Sequence, residues 1–455
     1  MPATNTAKGT RDFSKNDLVK RNYIFNIIKE TYEIFGFEPL ETPAMENIET
    51  LTGKYGDEGD QLLFRILRSG DFLKSLKDHD LTKDNLKKIR TYVADKGLRY
   101  DLTIPFARFI AKNHSTLGLP YKRYQIQPVW RADRPARGRY REFYQCDADV
   151  AGTSSLLSDA EFIMIVDQVF SKLNLPSSTI KLNNRKILAG IASILSKENC
   201  LVEMTVAIDK LDKIGIEGVE KELIERGFNS EDILKIKEFI DIGGNNAQRI
   251  EQLKALLPEE NIGQTGANEL QEVLNYSDAC VFKNADVSVD FSLARGLNYY
   301  TGTIYEVVLN GVQMGSVASG GRYDNLTESF GVKNVPGVGL SFGAERIYDV
   351  MEQLNLFPKS LEKACDVLIL NLDEKYNVKY FGLAHQLREA GIAAELYIQK
   401  AKFGKQMKFA ENRNISNVLI AGEDEFESNI FQLKHLESGV QESHTIEQII
   451  DKLKH

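Results

Sequence analysis

The architecture of this chain is set by residues 121–150, which read YKRYQIQPVWRADRPARGRYREFYQCDADV. Residues 123–130 and 142–150 each predict a strand, and the Arg, Pro and Gly residues between them predict a loop. Along the second strand, alternate side chains fall on opposite faces. One face carries Tyr144, Cys146, Ala148 and Val150, and the other carries Phe143, Gln145, Asp147 and Asp149. The first set predicts a core face, and the second predicts a face toward a polar pocket or solvent.

Basic residues are concentrated around this loop, although the chain is acidic overall. Seven of them occur between residues 122 and 141, against one acid: Lys122, Arg123, Arg131, Arg134, Arg137, Arg139 and Arg141, with Asp133. Guanidinium groups are planar forks that match phosphate oxygens, so the segment is a candidate site for a polyphosphate or a nucleic acid. A solvated surface hairpin is the alternative, and the aligned polar face of the second strand argues against it.

Two later segments contain glycines beside polar and aromatic residues. Residues 293–302, LARGLNYYTG, connect two predicted strands, and a packed hairpin end would also explain them. Residues 315–324, GSVASGGRYD, contain glycines that would let the backbone approach a substrate closely. Between these segments, Asn310-Gly311 follows an apolar strand and predicts a tight type I′ hairpin turn.

Residues 336–346, PGVGLSFGAER, predict a strand that runs into a helix with Arg346 in its first turns. The glycine spacing does not match the dinucleotide-binding fingerprint, and the sequence contains no GxxxxGK[S/T] phosphate loop. Nucleotide binding by a Rossmann or P-loop fold is therefore disfavoured.

Taken in order, these segments resemble the motifs of class II aminoacyl-tRNA synthetases. Residues 130–143 resemble motif 2, and RGRYREF within them resembles its histidine-specific form. Residues 293–302 and 315–324 resemble the two histidine-specific motifs, and residues 336–346 resemble motif 3. The pattern as a whole is similar to the histidyl-tRNA synthetase family. The resemblance implies an α+β fold, with an antiparallel-sheet catalytic domain, a helical insertion and a C-terminal α/β anticodon-binding domain.

The resemblance also implies a set of ATP contacts. It places Arg131 at the α-phosphate, Asp133 near the adenine amino group, Arg139 at the outer phosphates, Phe143 on the adenine ring and Arg346 near the γ-phosphate. A flat ring accepts a base face and a guanidinium fork accepts phosphate oxygens, so the side chains suit these roles. Arg295 is implied as the catalytic partner of Arg131, because both would stabilise the negative charge that builds on the α-phosphate.

Histidine contacts are implied in the same way. A neutral imidazole needs one acceptor and one donor, which Asp149 and Tyr300 supply, and Tyr299 lies beside them. The family's positions for the substrate ammonium group are matched by Asp101, Thr103 and Gln145. Asp101 and Thr103 are expected to share one strand face.

The chemistry that the resemblance implies needs no protein nucleophile and no prosthetic group. ATP, accompanied by Mg²⁺, would react with L-histidine to give the adenylate and pyrophosphate, and the acyl group would then pass to tRNA. No protein residue is assigned to a metal. Candidate tRNA contacts are Arg134, Arg137, Lys402 and Lys405, and the last two belong to a lysine-rich run that could equally be a solvated helix start. The family also implies a homodimer, although motif 1, around residues 37–46, is weak.

Composition and charge restrict the class of protein further. The chain has 455 residues, 42% of them hydrophobic, with a formal net charge of −8, which argues against indiscriminate attraction to DNA or other polyanions. Its four cysteines are widely spaced and form no CxxC pair, so neither a zinc knuckle nor a disulfide framework is indicated. No apolar run reaches the roughly 20 residues needed to cross a bilayer, and a cytoplasmic protein is expected.

The periodicity of the chain predicts its domain organisation. Residues 1–195 would form the first part of the catalytic domain, with a charged surface insertion at about 57–98. Residues 196–275, dense in Glu, Lys, Ile and Leu, would form a separate helical module, and residues 276–362 would complete the catalytic domain. Residues 363–455 alternate between apolar strands and helices, which predicts a small α/β domain with a largely parallel sheet.

Two alternatives remain open at this stage. Another synthetase of the same subclass would share everything but the substrate pocket, and residues 295–300 and 315–324 argue against it. A non-catalytic paralogue, serving as a regulatory subunit or as a tRNA-sensing domain, is the second. Such paralogues tend to lose the ATP-contacting arginines or the anticodon domain, whereas this chain retains Arg131, Arg139, Arg295, Arg346 and a plausible C-terminal module.

Overall fold

The computed structural model describes residues 4–53, 56–72, 82, 85–136, 138–294 and 299–454. Contacts between residues divide the chain into two compact units, Met1–Leu356 and Phe357–His455. Residues 73–81, 83 and 84 of the predicted surface insertion at 57–98 lie outside the described residues; the rest of it includes two short helices and two short strands. Among the described residues, no helix has both the length and the apolar character required to traverse a membrane.

The first unit is built around a large mixed sheet. The described strands of the first unit are β1 (Glu38–Pro39), β2 (Met45–Asn47), β3 (Arg65–Ile66), β4 (Lys96–Leu98), β5 (Tyr121–Trp130), β6 (Glu142–Ala151), β7 (Ser178–Asn184), β8 (Ala285–Val289), β9 (Thr303–Leu309), β10 (Ala318–Tyr323) and β11 (Gly337–Phe342). The main sheet has the order β1-β5-β6-β11-β10-β9-β7-β8, and its five inner pairings are antiparallel while the two outermost are parallel. Strands β2, β4 and β3 form a separate small sheet.

Helices cover this sheet and fill the connections. The described ones are α1 (Lys15–Ile34), α2 (Ile48–Leu51), α3 (Gly56–Gln61), α4 (Leu86–Val93), α5 (Thr103–Asn113), α6 (Leu157–Lys172), α7 (Arg185–Ile194), α8 (Leu201–Ile208), α9 (Leu211–Glu225), α10 (Ser230–Ile240), α11 (Asn246–Leu256), α12 (Ile262–Asp278) and α13 (Ala344–Gln353). The helical segment predicted at 196–275 contains α8 to α11 and most of α12, and it belongs to the first unit.

Helix α1 forms because its apolar residues recur at helical spacing and its start is capped. Ser14 and Asp17 form a reciprocal capping box, which satisfies backbone N–H groups that the first turn leaves unpaired. Ile24, Ile28 and Tyr32 are buried on one face of the helix. The Tyr32 hydroxyl donates to the carbonyl of Cys146 at 2.8 Å, so α1 covers the face of β6 that the alternation predicted as core.

The connection between β9 and β10 differs from the sequence prediction. The two strands do pair antiparallel, with Val307 opposite Ala318. Eight residues, 310–317, separate them, and only Gly311 of the Asn310-Gly311 pair has a positive φ, at 72°. A type I′ turn needs positive φ at both central residues, so the tight hairpin predicted here is wrong. The longer loop instead carries residues 315–317 to the edge of the candidate site.

The second unit has its own sheet and core. Its strands are β12 (Val367–Ile369), β13 (Ala394–Leu396), β14 (Asn417–Ile420), β15 (Phe431–His435) and β16 (Gln441–His444), and its helices are α14 (Asn377–Glu389), α15 (Phe403–Asn412), α16 (Glu423–Ser428) and α17 (Ile446–Lys454). The order is β13-β12-β14-β15-β16, with β12 parallel to both neighbours and the remaining two pairings antiparallel. The prediction of a largely parallel sheet is therefore wrong, because β15 and β16 follow as a hairpin rather than through a crossover helix.

Candidate active site

Three neighbouring strands, β5, β6 and β11, form the floor of the candidate site. Asp149 pairs with Arg123 on one side and Gly339 on the other, and Asp147 pairs with Gln125 and Ser341. Because successive side chains of a strand alternate between faces, the residues paired at Asp149 and those paired at Asp147 present their polar side chains to the same side of the sheet. The polar face predicted for the second strand is confirmed: Phe143, Gln145, Asp147 and Asp149 all line one cavity.

Glycines on adjacent strands make room for the large side chains of the floor. A Cβ at Gly339 would lie 2.1 Å from Oδ1 of Asp149, and a Cβ at Gly337 would lie 2.4 Å from the ring of Tyr323. On β10, a Cβ at Gly321 would lie 2.9 Å from the ring of Tyr300. No side chain fits at these separations, so the glycine spacing of the 336–346 segment serves close approach within the sheet.

Asp149 is held by two buried partners. Nη2 of Arg123 lies 2.7 Å from its Oδ2, and the Tyr323 hydroxyl donates to its Oδ1 at 2.5 Å. Arg123 is completely buried, and Asp149 is 2% exposed. Burial raises the pKa of Asp149, while Arg123 and the hydrogen bond from Tyr323 oppose that rise. Each carboxylate oxygen has a further lone pair, so the group can still accept a hydrogen bond from a ligand.

Tyrosines form one wall beside Asp149. The ring centroids of Tyr299 and Tyr300 lie 5.0 Å apart at a steep angle, and those of Tyr299 and Tyr323 lie 6.0 Å apart. Burial raises the pKa of Tyr300, and the carboxyls of Asp149 and Asp147 raise it further. Tyr300 therefore keeps its hydroxyl proton at neutral pH and remains available as a donor.

Asp101 and Thr103 line the same cavity, but they do not share a strand face as predicted. Thr103 is the first residue of α5, and Asp101 lies just before it, where its Oδ1 accepts from the backbone N–H of Ile104 at 3.1 Å. A carboxylate at a helix start is stabilised by the unpaired N–H groups there, which explains why the chain turns into a helix at this point. The prediction failed because the apolar residues after Thr103 suit a buried strand or helix equally.

Arginines line the same cavity, and the register of β5 with β6 places Arg131 at the strand end opposite Asp149. Arg131 donates from Nε to the carbonyl of Tyr100 at 3.0 Å, and its guanidinium lies 4.3 Å from the ring centroid of Tyr100 and 5.2 Å from that of Phe143. Arg139 pairs with Asp133 at 2.7 Å, with 60% of its side chain exposed. An exposed pair of this kind is weak, so Arg139 is readily available to an anionic ligand.

Arg346 lies in the first turn of α13, as the sequence predicted, and lines the same cavity. Its Nη1 donates to the carbonyl of Ser316 at 2.5 Å, and a Cβ at Gly315 would lie 3.4 Å from that nitrogen. The neighbouring Glu345 pairs with Arg11 at 2.5 Å and Arg21 at 2.8 Å, which anchors the start of the helix. The guanidinium of Arg346 therefore joins the 336–346 segment to the 315–324 segment.

Most of the predicted site residues line this single cavity of about 550 Å³. They are Asp101, Thr103, Arg131, Asp133, Arg139, Phe143, Gln145, Asp149, Tyr299, Tyr300 and Arg346. Arg134 is exposed and lies outside the lining. Arg137 and Arg295 lie outside the described residues, and Lys402 and Lys405 belong to the second unit. Among the residues described, no cluster of three or more His, Cys, Asp or Glu is placed to hold a metal ion.

Two of the basic residues counted around residues 122–141 do not serve as phosphate ligands. Lys122 pairs with Glu161 at 2.7 Å, and Arg123 is completely buried and pairs with Asp149. Sequence reasoning also assigned no role to Tyr323 or Asp147. The pairing of β5 with β6 places Arg123 opposite Asp149, and a register count from the loop would have indicated it.

Arg322 anchors the strand that carries Tyr323. It is 3% exposed, it forms an ion pair with the fully buried Asp159, and it donates to the carbonyls of Thr153 and Ser155 at 3.0 Å each. A buried guanidinium with this many acceptors fixes the position of β10 against α6. Its effect on the site is to hold Tyr323 within reach of Asp149.

A largely antiparallel sheet that bears carboxylates in a closed pocket and arginines at the open mouth of the same cavity defines the class: this is the catalytic architecture of class II aminoacyl-tRNA synthetases. Comparison with known proteins narrows it. The sequence model of the histidyl-tRNA synthetase family matches residues 9–347, and that of an anticodon binding domain matches residues 366–455. The chain therefore belongs to the histidyl-tRNA synthetase family.

Individual relatives agree over nearly the whole chain. A histidine–tRNA ligase of Christiangramia forsetii is 50% identical over 435 residues, which cover 95% of each chain, and one of Bacteroides fragilis is 49% identical over 98% of each. The crystal structure of histidyl-tRNA synthetase from Nostoc sp. PCC 7120 superposes with a TM-score of 0.83 at 31% identity, covering 100% of this chain and 99% of that one. The α+β fold class predicted from the sequence is confirmed.

Proposed function

We propose that this chain is a histidine–tRNA ligase: it activates L-histidine with ATP to histidyl-adenylate, releases pyrophosphate, and transfers histidine to the 3′ end of the tRNA specific for histidine. The observation that carries the proposal is the single cavity in which Arg131, Arg139 and Arg346 stand at one end and Asp149 and Tyr300 at the other. A triphosphate and a small nitrogen-containing ring can occupy those two ends together. The histidine carboxylate then lies between them, where it can attack the α-phosphate.

The arginines act by preorganised electrostatics. In the adenylation step, negative charge builds on the α-phosphate oxygens, and a guanidinium already fixed there stabilises it without reorganising. Arg131 is fixed by its hydrogen bond to Tyr100 and by the two flanking rings. Arg295 is assigned the second position at the α-phosphate, and Arg139 and Arg346 the outer phosphates. Asp133 and Phe143 are assigned to adenine. Mg²⁺ enters with ATP as part of the substrate.

Specificity for histidine rests on an ionised acceptor and a neutral donor. Asp149 accepts from one ring N–H, and Tyr300 donates to the bare ring nitrogen. The substrate ammonium group is assigned to Asp101, Thr103 and Gln145, with Tyr299 closing the wall. An analogue without ring nitrogens leaves these buried groups unpaired, which can lower its use by roughly 10⁴-fold.

The tRNA is assigned to two surfaces. Arg134 and Arg137 in the loop between β5 and β6 are candidates for the acceptor end. Lys402 and Lys405 lie at the start of α15, where the chain is rich in lysine and suits a phosphate backbone. We further propose a homodimer that works in the cytoplasm and has neither DNA nor membranes among its partners.

ATP–pyrophosphate exchange with each of the 20 amino acids, tested one at a time, examines this proposal directly. Stimulation by histidine alone is expected; stimulation by another amino acid, or by none, would overturn it. Arg131→Ala and Arg295→Ala should each abolish exchange, and Arg295→Ala should leave histidine binding nearly unchanged. Arg134→Ala is the matched control, because it removes a loop guanidinium that lies outside the cavity: exchange should persist, and only the transfer to tRNA should suffer.

A further inference from the structure

A third carboxyl, Asp147, lies in the histidine end of the cavity and has no role in the proposed mechanism. Its side chain is 3% exposed and lines the cavity between Gln145 and Asp149 on β6. The covering helix α1 packs on the other face of that strand, so Asp147 contributes nothing to the apolar core beneath. A buried acid of this kind needs a partner of opposite charge or a proton.

Ser341 links Asp147 to Gln145, and one oxygen of each of these two side chains is left without a donor in the described part of the chain. The Gln145 amide donates from Nε2 to Oγ of Ser341 at 3.4 Å, and the Ser341 hydroxyl is hydrogen-bonded to the Asp147 carboxyl. Oε1 of Gln145 and Oδ1 of Asp147 are both buried, and neither receives a hydrogen bond from the described residues. Two buried acceptors on one strand face are therefore without a donor among the described residues.

The charged and titratable groups around Asp147 show which donor fits. Among the described residues, the charged groups that influence it most are the acids Asp149 and Asp101 and the cation Arg123, and Tyr300 is a neutral phenol. Tyr32 and Cys146 also interact with it and are buried and uncharged. Since Arg123 already pairs with Asp149, acids outnumber cations among these described groups, and a cationic donor is favoured.

We propose that Asp147 binds the α-ammonium group of histidine together with Gln145, and that this contact is coupled to the release of a proton from Asp147. This inference rests on the proposed function, because it concerns the same substrate. An ammonium group has three donors and no acceptor, so it satisfies both waiting oxygens at once. It also adds positive charge where acids outnumber cations among the described groups.

The protonation of Asp147 supports this coupling. Burial raises the pKa of Asp147 to about 7, opposed by Arg123 and the Ser341 hydrogen bond and increased further by Asp149 and Asp101. Without a ligand at pH 7, a substantial fraction of the carboxyl is thus protonated. A bound ammonium favours the carboxylate, lowers this pKa, and releases to solvent the proton that the carboxyl carried.

Calorimetric titration with three ligands tests the proposal. L-histidine and histamine carry an ammonium group, whereas 4-imidazolepropionate carries the ring and the carboxylate without it. Asp147→Asn should weaken the two ammonium ligands about 10- to 100-fold, as expected for the loss of a hydrogen bond between charged groups, and leave 4-imidazolepropionate unchanged or tighter. Equal loss for all three ligands, or no loss for any, would overturn the proposal. Asp286→Asn, at an exposed position on β8, is the matched control.

A second measurement counts the protons released on binding. Titration with L-histidine at pH 7 in two buffers of different ionisation enthalpy should show more protons released by the unaltered protein than by Asp147→Asn, because the proton that the imidazole ring itself loses on binding is common to both. Equal release by the two proteins would exclude the coupling to Asp147. The proposed function is judged separately: exchange stimulated by another amino acid would overturn that function while leaving the ammonium result intact, and absence of histidine binding would overturn both.

Discussion

Replacing Arg123 with Met tests whether the ionised form of Asp149 depends on this buried guanidinium. The two groups lie 2.7 Å apart, and both are almost completely buried. At an effective dielectric constant of about 20, their attraction is worth roughly 6 kcal/mol. Protonating Asp149 instead costs about 4 kcal/mol at pH 7, the work of adding a proton to a group with an ordinary pKa near 3.9. Protonation costs less free energy than the lost attraction, so Asp149 should be neutral in the variant.

The expected loss of stability therefore depends on pH. It is at most about 4 kcal/mol at pH 7 and at most about 1.5 kcal/mol at pH 5, because protonation becomes easier as pH falls. The folded variant has a pKa at Asp149 above that of the unfolded chain, so it binds more protons than the unfolded chain in this range. Its stability thus rises as pH falls, and the deficit relative to the unaltered protein shrinks by up to roughly 2.7 kcal/mol.

Urea unfolding followed by tryptophan fluorescence provides the assay. The chain has one tryptophan, Trp130, at the end of β5, so the signal reports the first unit alone. Arg99→Met is the matched control: Arg99 is 1% exposed, but it donates to the carbonyls of Pro128 and Thr42, which do not titrate. The control should lose the same free energy of unfolding at both pH values. An Arg123→Met deficit that is equal at pH 7 and pH 5 would refute the reasoning.

Three further outcomes are expected from histidine-dependent ATP–pyrophosphate exchange. Tyr323→Phe removes the hydroxyl that donates to Asp149 at 2.5 Å, so the KM for histidine should rise about 10-fold while the KM for ATP stays constant; a rise in both would contradict a local effect. Gly339→Ala places a methyl group 2.1 Å from the Asp149 carboxylate and should lower kcat/KM for histidine at least about 100-fold. Gly382→Ala, in open space on a helix, is the control and should leave kcat/KM unchanged. Equal activity of the two variants would argue against close approach at Gly339. Arg346→Ala should raise the KM for ATP about 10- to 100-fold with histidine binding retained, and weakened histidine binding instead would count against its assignment to the phosphates.

Sequence reasoning succeeded where a local pattern has one structural solution. The alternation along 142–150 has period 2, and only one face of such a strand can be apolar, so the core and cavity faces of β6 followed from the residues alone. Arg346 followed in the same way, since PGVGLSF ends where a helix can start. The clustering of arginines likewise indicated a binding segment, and Arg131 and Arg139 from it line one cavity.

Sequence-based prediction failed where a local pattern has more than one structural solution, and where the decisive contact joins residues that are distant in sequence. Asp101 and Thr103 were expected on a strand, because an apolar run does not distinguish a strand from a buried helix start. Arg123 was counted only among the basic residues of the 122–141 segment, because its burial beside Asp149 depends on the register between two strands. Asn310-Gly311 predicted a tight turn, but the pairing of β9 with β10 required a longer loop.

By itself, the sequence determined the chemistry that this protein has available: arginines for a triphosphate, carboxylates and phenols for a nitrogen ring, and the order of motifs that carries them. The tertiary structure alone decided which of these groups are charged and paired. A carboxyl has the same residue code whether it lies in water, beside Arg123 or beside another acid, yet its pKa and its partners depend on burial and on neighbours within a few ångströms. Those neighbours come from β5, β6, β10 and β11, which only folding brings together.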